Sequence, residues 1–454
     1  MKLSLEEVGL VDYMPLAFGL VLAGVGTICV LLDPAYSLAA LALVLLGLAL
    51  YRWTPPEDRR VALWVLGLSL AFRLVLLVAL HLVKKGQGYH GFLSGDEGLY
   101  FMRALEFSEY LRGHRDVPFS LRHGVNAYTY FSGVVIALTR PSLFLLKVLN
   151  LCVGLAATFG FYRWARSEFG RRAGLLVLSL IAFYPSLQYW SITGLKEPHM
   201  IFILMVGLWI AYRLCGDGRF WALWAVAAGG VVAILGTYNP YLSAVLAFAV
   251  AFGWLLGRHP KQVALASAST LAGGAWLYWT NGPVAAMVRE FLVKRVIYYQ
   301  LGVVKSDLAG YSLYFHDSFR NVFPYHVGPN KIYWFGWVGS WLKGLGYFLF
   351  SPFPWAIKSM GQLVAYPQIL LWYGLFPFVL YGAWILLKVR RQQVLPLIVY
   401  VISLPSILAL TSGNIGEAFR HRDWIIPFCL MFAVVGVFHF LREPELLARL
   451  RDYS

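Results

Sequence analysis

Two adjacent acids, Asp96 and Glu97, stand in the stretch HGFLSGDEGLYFMRALEFSEYL, directly after an apolar run long enough to cross a membrane. A carboxylate so placed can accept a proton from an attacking hydroxyl or amine, ligate a hard cation, or cap a helix. Capping by itself explains part of the pattern. Ser94-Gly95-Asp96-Glu97 has the spacing of a capping box, in which Ser94 takes a backbone N–H and Glu97 reaches back from the third helical position. Capping needs only one of the two acids. The residues that follow predict a helix lying on the membrane surface, with Leu99, Met102, Leu105 and Leu111 set against Arg103, Glu106, Glu109 and Arg112.

Two other short stretches carry reactive side chains. SITGLKEPHM packs Lys196, Glu197 and His199 into one turn, with Pro198 suited to opening a helix and Glu197 suited to its first turn. SGNIGEAFRHRDW brings Arg420, His421 and Arg422 to the start of another apolar run. The planar donor fork of arginine matches a phosphate oxyanion, while snorkelling to a lipid headgroup is the plain alternative. Arg73 sits near the middle of an apolar run, where a charge is costly and faces a bundle interior or a wet cavity. It either assists a phosphate or binds backbone carbonyls, Asn150 or water.

The elements that must position these groups are transmembrane helices. With 59% hydrophobic and only 13% charged residues over 454 positions, the chain lies outside the soluble range. It is expected to be all-α, a polytopic bundle of about twelve spans. These fall near 12–32, 36–52, 61–83, 141–162, 173–190, 198–214, 220–236, 240–257, 262–280, 367–388, 394–411 and 424–441. The first is too long, with too many acids before it, for a cleaved signal peptide. No Asp or Glu lies in the interior of a span, so the carboxylates that mark proton and sodium pathways are missing. Asp96, Glu97, Glu197, Glu417 and Asp423 gather instead in loops, which suits chemistry at the mouth of a bundle.

Basic residues orient the chain. Short connections of one set together with the two tails, including Arg52, Arg59, Arg163, Arg166, Arg171 and Lys388, hold about 18 Lys or Arg against 3 in the other set. Both termini are therefore expected in the cytoplasm, with 84–140, 190–198, 281–366 and 412–423 on the periplasmic or luminal side. The net charge of +16 reads as this topogenic signal together with attraction to anionic membrane lipids, not as nucleic-acid binding. The four cysteines lack CxxC spacing and suggest packing rather than zinc or disulfides. The absence of an N-x-S/T sequon suits a bacterial inner membrane.

Together, GDEGLYFMRALEF after a transmembrane run, Glu197 in the next external loop and the basic residues at the far interface resemble the GT-C class of polytopic glycosyltransferases. That class includes the protein O-mannosyltransferases and lipid A aminoarabinose transferases. The resemblance covers residues 61–441, with external loops 84–140 and 281–366; residues 1–60 are two additional spans and 442–454 a cytoplasmic tail. It implies transfer of a sugar from a polyprenyl-phosphate donor to a glycan, lipid or protein acceptor, usually with inversion. Asp96 is then the general base, and Glu97 and Glu197 orient the acceptor or ligate a divalent cation (Mg or Mn) if one takes part. Arg420, His421, Arg422 and Lys196 would hold the donor phosphate. In 281–366, Arg289, Arg295 and Arg320 among tyrosines are candidate substrate contacts, as is Arg73. YFLFSPFPWAI, with Pro352 and Pro354, is expected to be a broken or re-entrant segment. Competing readings are a polysaccharide polymerase or O-antigen ligase, a lipid-linked sugar flippase or other transporter, and a structural or assembly subunit.

Overall fold

A computed structural model describes residues 34–114, 126–216, 220–280, 282–291, 334–357, 360–411 and 415–451. Every regular element among them is helical. The chain divides into two compact units, Met1–Val206 with Thr237–Pro240, and Gly207–Gly236 with Tyr241–Ser454.

The first unit is built from α1 (Pro34–Trp53), α2 (Arg59–Gly86), α3 (Gly95–Leu111), α4 (Ala127–Leu138), α5 (Leu143–Phe169), α6 (Arg171–Phe183), α7 (Pro185–Ser191) and the first half of α8 (Glu197–Gly216). Helix α5 is its axis, packed against α1, α2, α6 and α7. Leu66, Leu70 and Leu77 of α2 meet Leu151, Leu155 and Tyr162 of α5 and Leu178 of α6 in one buried apolar cluster. The bend of 62° between α6 and α7 falls at Pro185, which has no N–H to continue the ladder. The carbonyl freed at Ala182 is taken up by Ser69 Oγ at 2.9 Å and Gln188 Nε2 at 2.7 Å. Helix α3 lies against α4 at Gly133, where a Cβ would come 2.9 Å from the Ala104 carbonyl oxygen. Leu99, Met102 and Leu111 of α3 remain exposed, as a helix on a membrane surface requires.

At the opposite end of α5, Asp58 is fully buried between α1 and α2. It accepts hydrogen bonds from the Tyr162 hydroxyl at 2.7 Å and from the Nε groups of Arg166 and Arg171. Burial alone pushes the Asp58 carboxyl upward, but these donors outweigh it and hold the group below its usual range.

The second unit continues through α9 (Trp221–Tyr238), α10 (Pro240–Arg258), α11 (Pro260–Thr280), α12 (Gly282–Phe291), α13 (Trp334–Phe350), α14 (Met360–Val389), α15 (Arg391–Thr411), α16 (Ile415–Arg422), α17 (Ile426–Phe440) and α18 (Pro444–Arg451). Helices α14 and α17 pack backbone to backbone. A Cβ on Gly382 would lie 1.9 Å from the Phe432 oxygen, and one on Gly436 2.2 Å from the Phe378 oxygen, so only glycine permits this approach. Within YFLFSPFPWAI the helix stops at Phe350 and a single 3-10 turn, Pro354–Ala356, follows, in keeping with a broken segment.

Among the described residues seven helices are long and apolar enough to cross a membrane: α2, α5, α8, α9, α10, α14 and α15. The pairs α6–α7 and α16–α17, the latter bent by 59°, raise the number to nine if each is one span. The described residues thus make a helical membrane protein and hold seven to nine of the roughly twelve spans expected over the whole chain. The run 12–32 lies outside the described residues. Residues 36–52 fall in α1, whose apolar stretch Ser37–Trp53 is shorter than a full span, and 262–280 in α11, and neither helix is among the seven.

Candidate active site

The two acids of the opening stretch have different surroundings. Ser94, extended at φ −148° and ψ 161°, caps α3 by accepting the Glu97 N–H at 3.3 Å. The reciprocal half of the capping box is altered. Glu97 is fully buried, and its carboxylate accepts the N–H of Leu93, one residue before the cap, and the N–H of Gly194 from a distant turn. Its charge is met by Lys147 of α5, whose Nζ lies 3.2 Å away and also donates to the Gly91 carbonyl at 2.8 Å. One carboxylate therefore ties together the loop before α3, the middle helix and the 192–196 turn.

Two glycines make this closure possible. Gly91 has φ +85°, and a Cβ there would fall 2.4 Å from the His81 ring. A Cβ on Gly194 would lie 3.0 Å from both Cγ and Oε1 of Glu97. Asp96, by contrast, is exposed in the first turn of α3, one residue from the anchored side chain. Helix α3 thus presents one acid outward on an N-terminus whose position is fixed by the other.

A neutral polar cluster supports the 192–199 turn from below. Asn150, one turn along α5 from Lys147, directs its Nδ2 to the carbonyls of Thr193 and Leu195, each at 2.7 Å, and to the Tyr128 hydroxyl at 3.0 Å. Those carbonyls require the amide nitrogen on that side, so Asn150 Oδ1 faces His199 Nε2 at 3.1 Å and must accept from it. His199 Nδ1 then carries the lone pair that accepts the Tyr238 hydroxyl at 3.2 Å. The His199 ring is further enclosed by Tyr128 and Phe131, with ring centroids 5.3 and 5.0 Å away. Lys196, half-buried, donates to the Tyr238 carbonyl at 3.0 Å. Glu197 opens α8 and is 1% exposed.

Lys147 and Tyr128 are neighbours of the candidate residues that the sequence reading does not single out. The signal for Lys147 was present, because a lysine three residues before Asn150 inside an apolar helix has to meet an acid or a carbonyl.

The remaining candidates are placed as follows. Arg73 is 1% exposed and directs Nη2 toward the Ala182 carbonyl at 3.5 Å, beside a cavity of about 20 Å3, the size of one water. Of the partners open to it, the described residues give Arg73 a backbone carbonyl and not Asn150. In the second unit Arg422 is fully buried and donates from Nη1 to the carbonyls of Leu349 at 2.8 Å and Ser351 at 2.9 Å. Its guanidinium also lies over the Phe419 ring. Arg422 thus secures the chain where α13 ends. Arg420 and His421 are half-buried, and the His421 ring stacks on Trp424 with centroids 4.2 Å apart. Arg295 and Arg320 lie outside the described residues. Arg289 lies on α12, and its side chain is likewise outside them. No group of three or more His, Cys, Asp or Glu among the described residues is disposed to hold a metal ion.

Compared with known protein families, with curated proteins and with solved structures, the chain matches none.

Proposed function

We propose that this protein is a membrane glycosyltransferase that moves a sugar from a polyprenyl-phosphate donor to a hydroxyl or amine acceptor, with Asp96 as general base. The observation that carries the reading is the asymmetry of the acid pair. An exposed carboxylate stands on a helix terminus that is anchored through a buried ion pair and two backbone N–H groups. Such anchoring supports catalysis by positioning, because a base must be held within hydrogen-bond reach of the proton it removes.

In the proposed step the acceptor oxygen or nitrogen bonds to the anomeric carbon as the bond from that carbon to the phosphate oxygen breaks. The acceptor proton passes to Asp96, and the electron pair leaves with the polyprenyl phosphate. A single displacement of this kind inverts the anomeric centre. Glu97 acts as a positioning residue in this scheme, and Glu197 opens the helix beside Lys196. Lys196, in the same unit as Asp96, is assigned to the donor phosphate, where a cation stabilises the charge that develops on departure. Arg422, in the second unit, holds the backbone that precedes α14. The proposed setting is a bacterial inner membrane with the site facing the periplasm.

Transfer of radiolabelled sugar from a panel of polyprenyl-phosphate sugars by the purified protein in lipid tests this directly. Asp96→Asn is expected to lower transfer by roughly 10²–10⁴-fold with folding unchanged. Equal transfer by both proteins would reduce Asp96 to a helix-terminal charge and favour a polymerase or ligase reading.

A further inference from the structure

A second site lies at the other end of the first unit. Helices α1, α5 and α8 leave between them an open cavity of about 570 Å3, within the 300–1,000 Å3 range of ligand clefts. Its walls are apolar, formed by residues such as Ala49, Phe159 and Met205, and its polar lining consists of Arg52 and Arg163. Both arginines are exposed, and among the described residues neither forms a hydrogen bond or an ion pair.

The lack of an acid partner is informative because acids are close at hand. Glu57 and Asp58 lie on the same connection, yet both are engaged by Arg166 one turn beyond Arg163, and Asp58 also by Arg171. Arg52 and Arg163 are thus left as a cationic pair at the rim of an apolar groove. From Arg163 the groove runs inward along α5 through Gly160 to Ala156, a distance of roughly 10 Å at 1.5 Å per residue. A cationic rim over an apolar channel that follows the axis of a membrane-length helix complements one chemistry: a phosphate headgroup joined to an acyl chain.

We propose that this groove binds an anionic phospholipid, with its phosphate held between Arg52 and Arg163 and an acyl chain laid along α5 between α1 and α8. Arginine suits this task because its fork pairs two donors with two phosphate oxygens. Basic pockets between transmembrane helices are a recognised form of anionic-lipid site. Gly160 keeps the groove floor low, since a Cβ there would meet Met205 Cε at 2.3 Å. This site is separate from the Asp96 region and does not depend on the proposed transferase activity.

Thermal unfolding of the full chain in mixed micelles, titrated with phosphatidylglycerol or phosphatidylcholine, provides the test. Phosphatidylglycerol is expected to raise the midpoint saturably, whereas phosphatidylcholine leaves it nearly unchanged. Arg52→Gln/Arg163→Gln, both exposed positions, should weaken the apparent phosphatidylglycerol affinity by roughly 30-fold, taking the usual contribution of each basic residue near a membrane surface. Ala49→Phe, which fills the groove and keeps both charges, should weaken it as well. Equal responses to the two lipids overturn the proposal. So does an unchanged response in the arginine variant. An unchanged response in Ala49→Phe with a lost one in the arginine variant would leave only a surface headgroup contact and overturn the groove.

Discussion

Replacing Glu97 tests whether the buried pair positions the site or performs the chemistry. In Glu97→Gln the side chain keeps one acceptor oxygen, but the amide nitrogen is turned toward a backbone N–H that the carboxylate had satisfied, at Leu93 or Gly194. Lys147, fully buried and otherwise bonded, among the described residues, only to the Gly91 carbonyl, loses its counter-charge. Removing one member of a buried pair costs about 3–5 kcal/mol. Lys147→Met strands the opposite charge, although the two N–H groups still stabilise it, so about 2–4 kcal/mol is expected. The double variant has no buried charge left. It should be less unstable than the sum of the single variants by about 2–3 kcal/mol, the coupling of directly contacting residues. Reversible unfolding in mixed micelles measures the cycle, with sugar transfer followed in parallel. Additive losses would show that the two groups do not interact as a pair. A Glu97→Gln protein of normal stability with no activity would refute the positioning role and make Glu97 the reacting carboxylate.

Three further outcomes follow from the same structure. Asp58 has a carboxyl held below its usual range, so the unfolded chain binds more protons as pH falls; stability from this group should be complete above about pH 4 and disappear below it. Asp58→Asn should remove that slope in a pH series of unfolding midpoints and cost about 3 kcal/mol at neutral pH. Asn150→Leu leaves the buried carbonyls of Thr193 and Leu195 without their amide donor, at about 1–3 kcal/mol each; the destabilised 192–199 turn should show as faster amide exchange there than in α6. Gly382→Ala drives a Cβ into the Phe432 carbonyl and should destabilise the α14–α17 contact by about 1–3 kcal/mol in unfolding experiments, with Gly374→Ala, which meets nothing within 4 Å, as the neutral control.

Much of the architecture is legible in the residues alone. Hydropathy sets the helices, because a chain in lipid must satisfy its backbone internally and an apolar run of span length has no other solution. Ser94 marks the start of α3, and Pro185 and Pro352 mark breaks, because capping and missing N–H groups act over a few residues. Asp96 and Glu97 were recognisable as a pair at a helix terminus for the same local reason. Which of them is buried was not. Consecutive residues on a helix point in directions about 100° apart, so one acid must turn away from the other, but the buried side is set by where Lys147 and the Gly194 N–H come to rest. Those groups lie 50 and 97 positions away in sequence, and only the packing of α5 and the 192–196 turn against α3 brings them to Glu97. Arg422 shows the same division. Its type and loop position suggested a phosphate contact, whereas burial against the Leu349 and Ser351 carbonyls gives it a structural load that no local pattern announces. Local stereochemistry and hydropathy are written in the neighbouring residues, but the partner of a buried charge is chosen by the fold.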